Sequence, residues 1–144
     1  MSAKAPVDPI RKFLETARHQ IAVGNLTGAA QTLNDARQRS PRDARLFMLA
    51  GLMAEKSGNL RGAIDAMQRC ETLAPDWAPG LLEQALLYAR HNREHDAIAA
   101  AEKVIALEPN NARVIAAVID IAHRVGNTDM AIRHLRRVLE LTPE

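Results

Sequence analysis

The feature that most constrains this chain is a spacing of 34 residues that recurs from one end of the sequence to the other. Four columns of residues keep this spacing in one register without slippage. They are proline (Pro41, Pro75, Pro109, Pro143), alanine (Ala29, Ala63, Ala97, Ala131), glycine or asparagine (Gly24, Gly58, Asn92, Gly126) and a large apolar residue (Phe13, Phe47, Leu81, Ile115). Agreement among four columns predicts a chain built from repeated structural units.

Each unit contains two segments with helical periodicity. Residues 44–57 have apolar side chains at three- and four-residue spacings, which predicts a helix of about 14 residues, or roughly 21 Å. We expect this helix to end at Gly58, because glycine takes up the left-handed conformation without a steric cost. In the third unit Asn92 occupies that column, and asparagine is the next most tolerant residue there. Residues 61–73 are again periodic and end before Pro75, which disfavours helix in the residue that precedes it.

The alanine column predicts a point where the two helices of a unit approach closely. Its expected opposites on the preceding helix are small residues as well, namely Ala17, Gly51 and Ala85. The runs at 24–30 and 58–64 read G-N-L-x-x-A-[AI], and Pro41 and Pro75 close their units. In these features residues 10–144 resemble the tetratricopeptide repeat family.

The resemblance implies an all-α fold, in which antiparallel helix pairs stack into a right-handed α-solenoid. The four repeats would span residues 10–43, 44–77, 78–111 and 112–144. Residues 1–9 contain two prolines and no periodicity, so we expect them to form a flexible tail.

Composition narrows the class of protein further. Hydrophobic residues make up 47% of the chain but aromatic residues only 3%, so alanine, leucine and isoleucine must form the core. The single cysteine excludes an internal disulfide framework. The first ten residues contain no apolar secretory segment, and no apolar run approaches the roughly 18 residues of a membrane span. Together these observations predict a cytoplasmic protein that does not enter a membrane.

One pentapeptide, HNREH at residues 91–95, matches the H-x-x-E-H pattern of a class of zinc peptidases. The repeat register places it in the columns of 23–27, 57–61 and 125–129, which are the turns between helices. His91 then ends one helix and His95 begins another, so the two histidines do not share the helical face that such a zinc site needs. Cys70 shares a column with small apolar residues and is expected in the core. We therefore predict no metal, no cofactor and no catalytic activity.

A partner-binding surface is the remaining functional prediction. In the family, the first helix of each unit lines a concave groove that holds an extended peptide or a partner helix. By register, this face comprises apolar residues with arginines at its margins: Arg11, Leu14, Arg18, Arg45, Met48, Leu49, Leu52, Leu82, Leu86, Arg90 and Arg113. Leucines that remain exposed to solvent in a groove indicate an interaction site. A protein or peptide partner with apolar anchors and acidic flanks would complement it. The alternative is that these leucines pack within the repeats and the arginines only solubilise them.

The last predicted helix carries more apolar surface than one neighbouring helix covers, with Ile132, Leu135 and Leu139 as its main contributors. Repeat arrays usually finish with a helix whose outer face is polar. Either the polypeptide continues beyond Glu144 or this face pairs with a second copy.

Three functional hypotheses follow. The preferred one is a non-catalytic module that binds a peptide or an amphipathic helix. The second is the N-terminal regulatory or docking domain of a larger enzyme, since residues 11–20 resemble the opening of bacterial sulfotransferases and glycosyltransferases with repeats. The third is a self-assembling scaffold. Nucleic acid is not an expected partner, because acidic residues such as Glu15, Glu83 and Asp120 interrupt the basic columns.

Overall fold

The 34-residue period of the sequence recurs in the structure as a repeated pair of helices. A computed structural model describes residues 8–141, and within that range the chain forms eight α-helices and no strand. The helices are α1 (Arg11–Ala22), α2 (Leu26–Arg39), α3 (Ala44–Lys56), α4 (Leu60–Leu73), α5 (Ala78–Arg90), α6 (Glu94–Leu107), α7 (Ala112–Arg124) and α8 (Thr128–Leu141). The second helix of every pair begins at a 34-residue interval, at residues 26, 60, 94 and 128. Most of the predicted tail, residues 1–7, and the closing Pro143 lie outside the described residues.

The helices belong to two compact units, one containing α1–α4 and the other α5–α8. In the first unit α1 packs on α2 and α3 packs on α4, and α3 also contacts both helices of the preceding pair. The second unit repeats this plan, with α7 packed against α5 and α6 as well as against α8. Each unit is therefore two helix pairs that share one apolar core, as the repeat period predicts.

In three of the four turns a glycine and the asparagine that follows it have separate roles. Gly24, Gly58 and Gly126 have φ values of +81°, +82° and +79°, which is the left-handed conformation that ends the first helix. The asparagine that follows caps the next helix: the Asn25 side chain accepts a hydrogen bond from the Gly28 N–H at 3.0 Å. Asn59 and Asn127 do the same for their helices.

The third turn departs from this pattern at both positions. Asn92 has φ +59°, the only positive φ outside glycine in the described part of the chain. Arg93 takes the capping position of α6 without a capping hydrogen bond from its side chain. The turn that contains HNREH therefore keeps the shape of its sisters but lacks the two residues that favour that shape most.

Replacing Asn92 with glycine is expected to raise the free energy of unfolding by about 0.5 kcal/mol, because the left-handed conformation is strained for a residue with a Cβ. Gly58→Ala, which places a Cβ on a left-handed residue, should lower the free energy of unfolding by about 1 kcal/mol. A Cβ at Gly58 would meet no atom within 4 Å, so the backbone conformation alone causes the loss. Urea denaturation of both variants measures these differences, and a less stable Asn92→Gly protein would contradict the argument.

Three of the four residues in the alanine column are buried as predicted. Ala29, Ala63 and Ala97 have no exposed surface, whereas Ala131 on α8 is half-buried. In that last pair the residue expected opposite the alanine is the larger Ile119. A Cβ added to Gly51 on α3 would lie 3.3 Å from the carbonyl oxygen of Ala63 and 2.9 Å from the Cε of Met67 on α4. Contact this close leaves no room for a larger side chain, so the small residues set the spacing of the helices.

Candidate interaction surfaces

The structure places the two histidines of the HNREH pentapeptide on either side of a turn, where the repeat register predicts them. His91 is the C-terminal cap of α5, and His95 lies in the first turn of α6, so the two histidines are on different helices. No group of three or more histidine, cysteine, aspartate or glutamate side chains within residues 8–141 could hold a metal ion. Burial raises the pKa of the Cys70 thiol to about 11, so at neutral pH this core side chain is protonated and a poor nucleophile.

The predicted binding residues of the first unit divide into buried and accessible ones. Leu14, Met48 and Leu49 are 9%, 5% and 1% exposed and belong to the core between α1 and α3 and their neighbours. Leu52 on α3 is half-buried, and Arg18 on α1 is exposed. Arg11 is also exposed and pairs with Glu15 one turn later, at 3.3 Å. The surface available to a partner on this unit is therefore narrower than the register alone implies.

Arg45, another predicted binding residue, is held within the fold by two carboxylates. Its guanidinium donates to Asp8 Oδ2 at 2.6 Å and to Asp43 Oδ2 at 2.7 Å. These hydrogen bonds hold the pKa values of the Asp8 and Asp43 carboxyls below their usual range. Asp43 also caps α3 through the Arg45 N–H. Through these ion pairs Arg45 connects Asp8, near the end of the predicted tail, to the start of α3.

In the second unit the predicted residues lie on α5 and α7. Leu82 and Leu86 are four residues apart and half-buried. Between and beside them on α5, Leu81, Ala85 and Leu87 are at most 2% exposed. Arg90 and, on α7, Arg113 are exposed. Leu82 and Leu86 share one face, because residues at this spacing are neighbours on a helix surface.

The predicted self-association residues form the most exposed apolar stripe in the described part of the chain. Ile132, Leu135 and Leu139 on α8 are 44%, 50% and 63% exposed. Met130 and His134 face the opposite side of the helix and are 2% and 8% exposed. One side of α8 is therefore buried in the fold, and the opposite, outer side carries an apolar stripe that is exposed.

The second unit also contains a buried histidine, His134, which is 8% exposed. The His134 Nε2 has no hydrogen-bond partner within residues 8–141. The side chain borders a cavity of about 340 Å³ that Ile115, Arg133 and Arg137 also line. Desolvation by burial, and then the charge of Arg133, lower the pKa of this imidazole. Its column holds threonine and alanine in the other repeats, so no sequence pattern pointed to it.

No helix within the described residues is long and apolar enough to cross a membrane. Residues 14–76 match the sequence family described as tetratricopeptide repeat. A comparison with curated protein sequences found no match.

Several solved structures share the fold. A thermophilic tetratricopeptide repeat protein of Thermus thermophilus is 22% identical with a TM-score of 0.75, and the match covers 95% of this chain and 76% of that one. MamA is 21% identical with a TM-score of 0.72, over 94% of this chain and 79% of that one. YrrB, described as a tetratricopeptide repeat protein with an unusual peptide-binding site, is 14% identical with a TM-score of 0.68, over 94% and 70%. At these identities the likeness establishes the fold alone.

The sequence match over residues 14–76 and the likeness to solved structures point to the same class, the tetratricopeptide repeat proteins. Residues 14–76 are repeats of this family by sequence, and the described chain has the family's fold throughout.

Proposed function

We propose that this protein is a non-catalytic module that binds a peptide or an amphipathic helix on the first helices of its repeats. The observation that carries the proposal is the pair Leu82 and Leu86, which stay half-buried, whereas Leu81, Ala85 and Leu87 on the same helix are at most 2% exposed. An amphipathic helix places apolar anchors at this same spacing, so two of its side chains could cover both leucines. The peptide-binding site named for YrrB supports the same use of the fold.

The charges around these leucines favour a partner with acidic flanks. In the second unit Arg113 is exposed on α7, which packs against α5, and in the first unit Arg18 on α1 and Leu52 on α3 offer a similar combination. Complementary charge at the rim of an interface increases the association rate and selects partners, whereas buried apolar anchors supply most of the affinity. A cytoplasmic location is part of this proposal, supported by the one cysteine, a buried free thiol.

Changing both Leu52 and Leu86 to glutamate is expected to weaken binding of a selected peptide by more than about tenfold, because each change replaces an apolar contact worth roughly 1.5–3 kcal/mol with a charge. Peptides are first selected from a displayed random library against the unmodified protein, and their affinities are then measured by calorimetry. Far-ultraviolet circular dichroism must show that the variant remains folded.

The matched control is Leu107→Glu, which alters a leucine that is 38% exposed at the end of α6, outside the first helices. Its peptide affinity should remain within about twofold of the original. If the selected peptides bind the Leu52/Leu86 variant as well as the control, the first helices are not the binding surface.

A second candidate function, self-association, is favoured by the exposed stripe on α8. Changing Leu135 and Leu139 to glutamate should convert an associating protein into a monomer, because a dimer would bury those side chains against each other. Sedimentation velocity over a hundredfold concentration range is the measurement. Val23→Glu, at a residue that is 64% exposed between α1 and α2, is the control. An unmodified protein that stays monomeric throughout that range would rule this candidate out.

A further inference from the structure

A small pocket lies at the end of the second repeat where α3 begins and α4 finishes. It has a volume of about 290 Å³ and is lined by Pro41, Arg42, Phe47, Arg69, Thr72 and Leu73, all within the first unit. This volume is at the lower limit of the pockets that hold drug-sized ligands. It suits one bulky side chain of a bound peptide better than a cofactor.

The floor of the pocket is apolar and incompletely covered. Phe47 is half-buried, whereas Leu81 and Ile115, which occupy the same column in later repeats, are 2% and 0% exposed. Leu73, at the end of α4, is 39% exposed. Phe47 and Leu73 are therefore both partly exposed within one pocket, and together they can bind an apolar side chain.

The rim of the pocket is positively charged. Arg42 and Arg69 are both exposed, and neither has an ion pair or a side-chain hydrogen bond within residues 8–141. Arg45, three residues beyond Arg42, shows the contrast, because its guanidinium is held by two carboxylates. No acidic residue lines the pocket. Guanidinium groups bind carboxylates in a planar, two-pronged geometry, so this rim is complementary to acidic side chains.

We propose that this pocket binds a peptide segment of a partner protein in which a bulky apolar side chain is flanked by carboxylates. The apolar side chain lies against the Phe47 ring and Leu73, and the carboxylates pair with Arg42 and Arg69. This is a contact surface additional to the one on the first helices, and it does not depend on Leu52 or Leu86.

The test titrates the full chain, labelled with ¹⁵N, with the acetylated and amidated pentapeptide Gly-Glu-Phe-Glu-Gly. Saturable shifts are expected at the backbone amides of residues 42, 47 and 69–73. The double variant Arg42→Ala/Arg69→Ala should bind about tenfold more weakly, because it removes two ion pairs that are each weakened by exposure to water. Replacing both glutamates of the peptide with glutamine should have the same effect, and replacing its phenylalanine with alanine should abolish saturation.

Arg61→Ala is the matched control. Arg61 is an exposed arginine on α4 that does not line the pocket, and its loss should change the affinity less than about twofold. The Leu52/Leu86 variant should bind this pentapeptide normally, which separates failure here from failure of the proposed function. The proposal is overturned if shifts do not saturate, if the glutamine peptide binds equally well, or if Arg61→Ala weakens binding as much as the double variant. It is also overturned if the arginine pair supports binding to phosphatidylserine vesicles while the peptide does not bind.

Discussion

Replacing Ala63 with leucine is expected to lower the free energy of unfolding by about 3 kcal/mol, the upper end of the usual cost of overpacking a core. Ala63 on α4 has no exposed surface, and its carbonyl oxygen would lie only 3.3 Å from a Cβ on Gly51 of α3. The three heavy atoms that leucine adds have no space between these helices. They can be accommodated only if α3 and α4 separate, which would loosen the first unit. Equilibrium denaturation in urea measures the loss.

A matched pair of substitutions on α2 separates crowding from any general effect of leucine. Ala29 occupies the same column as Ala63 and is fully buried, whereas its neighbour Ala30 is exposed. Ala29→Leu should therefore destabilise the protein to a similar extent, and Ala30→Leu should change the free energy of unfolding by no more than about 0.5 kcal/mol. Equal losses from both would show that helix spacing is not what the alanine column determines.

The features that could be predicted from sequence are those in which one residue's local chemistry decides the outcome. A left-handed φ favours glycine or asparagine, and a close helix crossing favours alanine or glycine, so residue type and register together predict the roles of Gly58, Asn92 and Ala63. The same register predicts that His91 and His95 lie on either side of a turn and not on one helical face, and the structure places them there. Such predictions need no knowledge of which side chains meet across the fold.

The interaction surface could be predicted less well, because its accessibility depends on contacts between residues far apart in sequence. Leu49 and Leu52 look alike in the sequence, but Leu49 is 1% exposed and Leu52 is half-buried, because the helices packed around α3 cover them unequally. Arg45 was expected at the margin of the groove, and its partner Asp8 lies 37 residues away in the sequence. An arginine column in a repeat therefore indicates where charge is placed, but not whether that charge is free to bind a partner.

His134 belongs to the same group of features, because its burial results from the packing of α8 in the second unit. The groups around it are the ion-paired Arg133 and Glu102 and the charged ends of Arg137 and Glu140. Burial and the charge of Arg133 lower the pKa of the imidazole, and Glu102 opposes them only in part. Below about pH 6.5 the unfolded chain takes up a proton at this histidine while the folded protein resists it. Acidification then favours unfolding, so this residue contributes a loss of stability as the pH falls through that range.

His134→Leu is accordingly expected to raise the free energy of unfolding by about 1 kcal/mol at pH 7.5, because it removes a buried polar atom that has no hydrogen-bond partner within residues 8–141, and by about 2 kcal/mol at pH 5.5. The measurement is urea denaturation at both pH values, and the informative quantity is the difference between them for each protein. His123→Leu alters an exposed histidine on α7 and should leave that difference as it is in the original protein. Because leucine cannot titrate, an equally large loss of stability between pH 7.5 and 5.5 in the His134→Leu protein would place the acid sensitivity at another residue. A smaller loss would show that a side chain with no counterpart in the other repeats makes the second unit sensitive to pH.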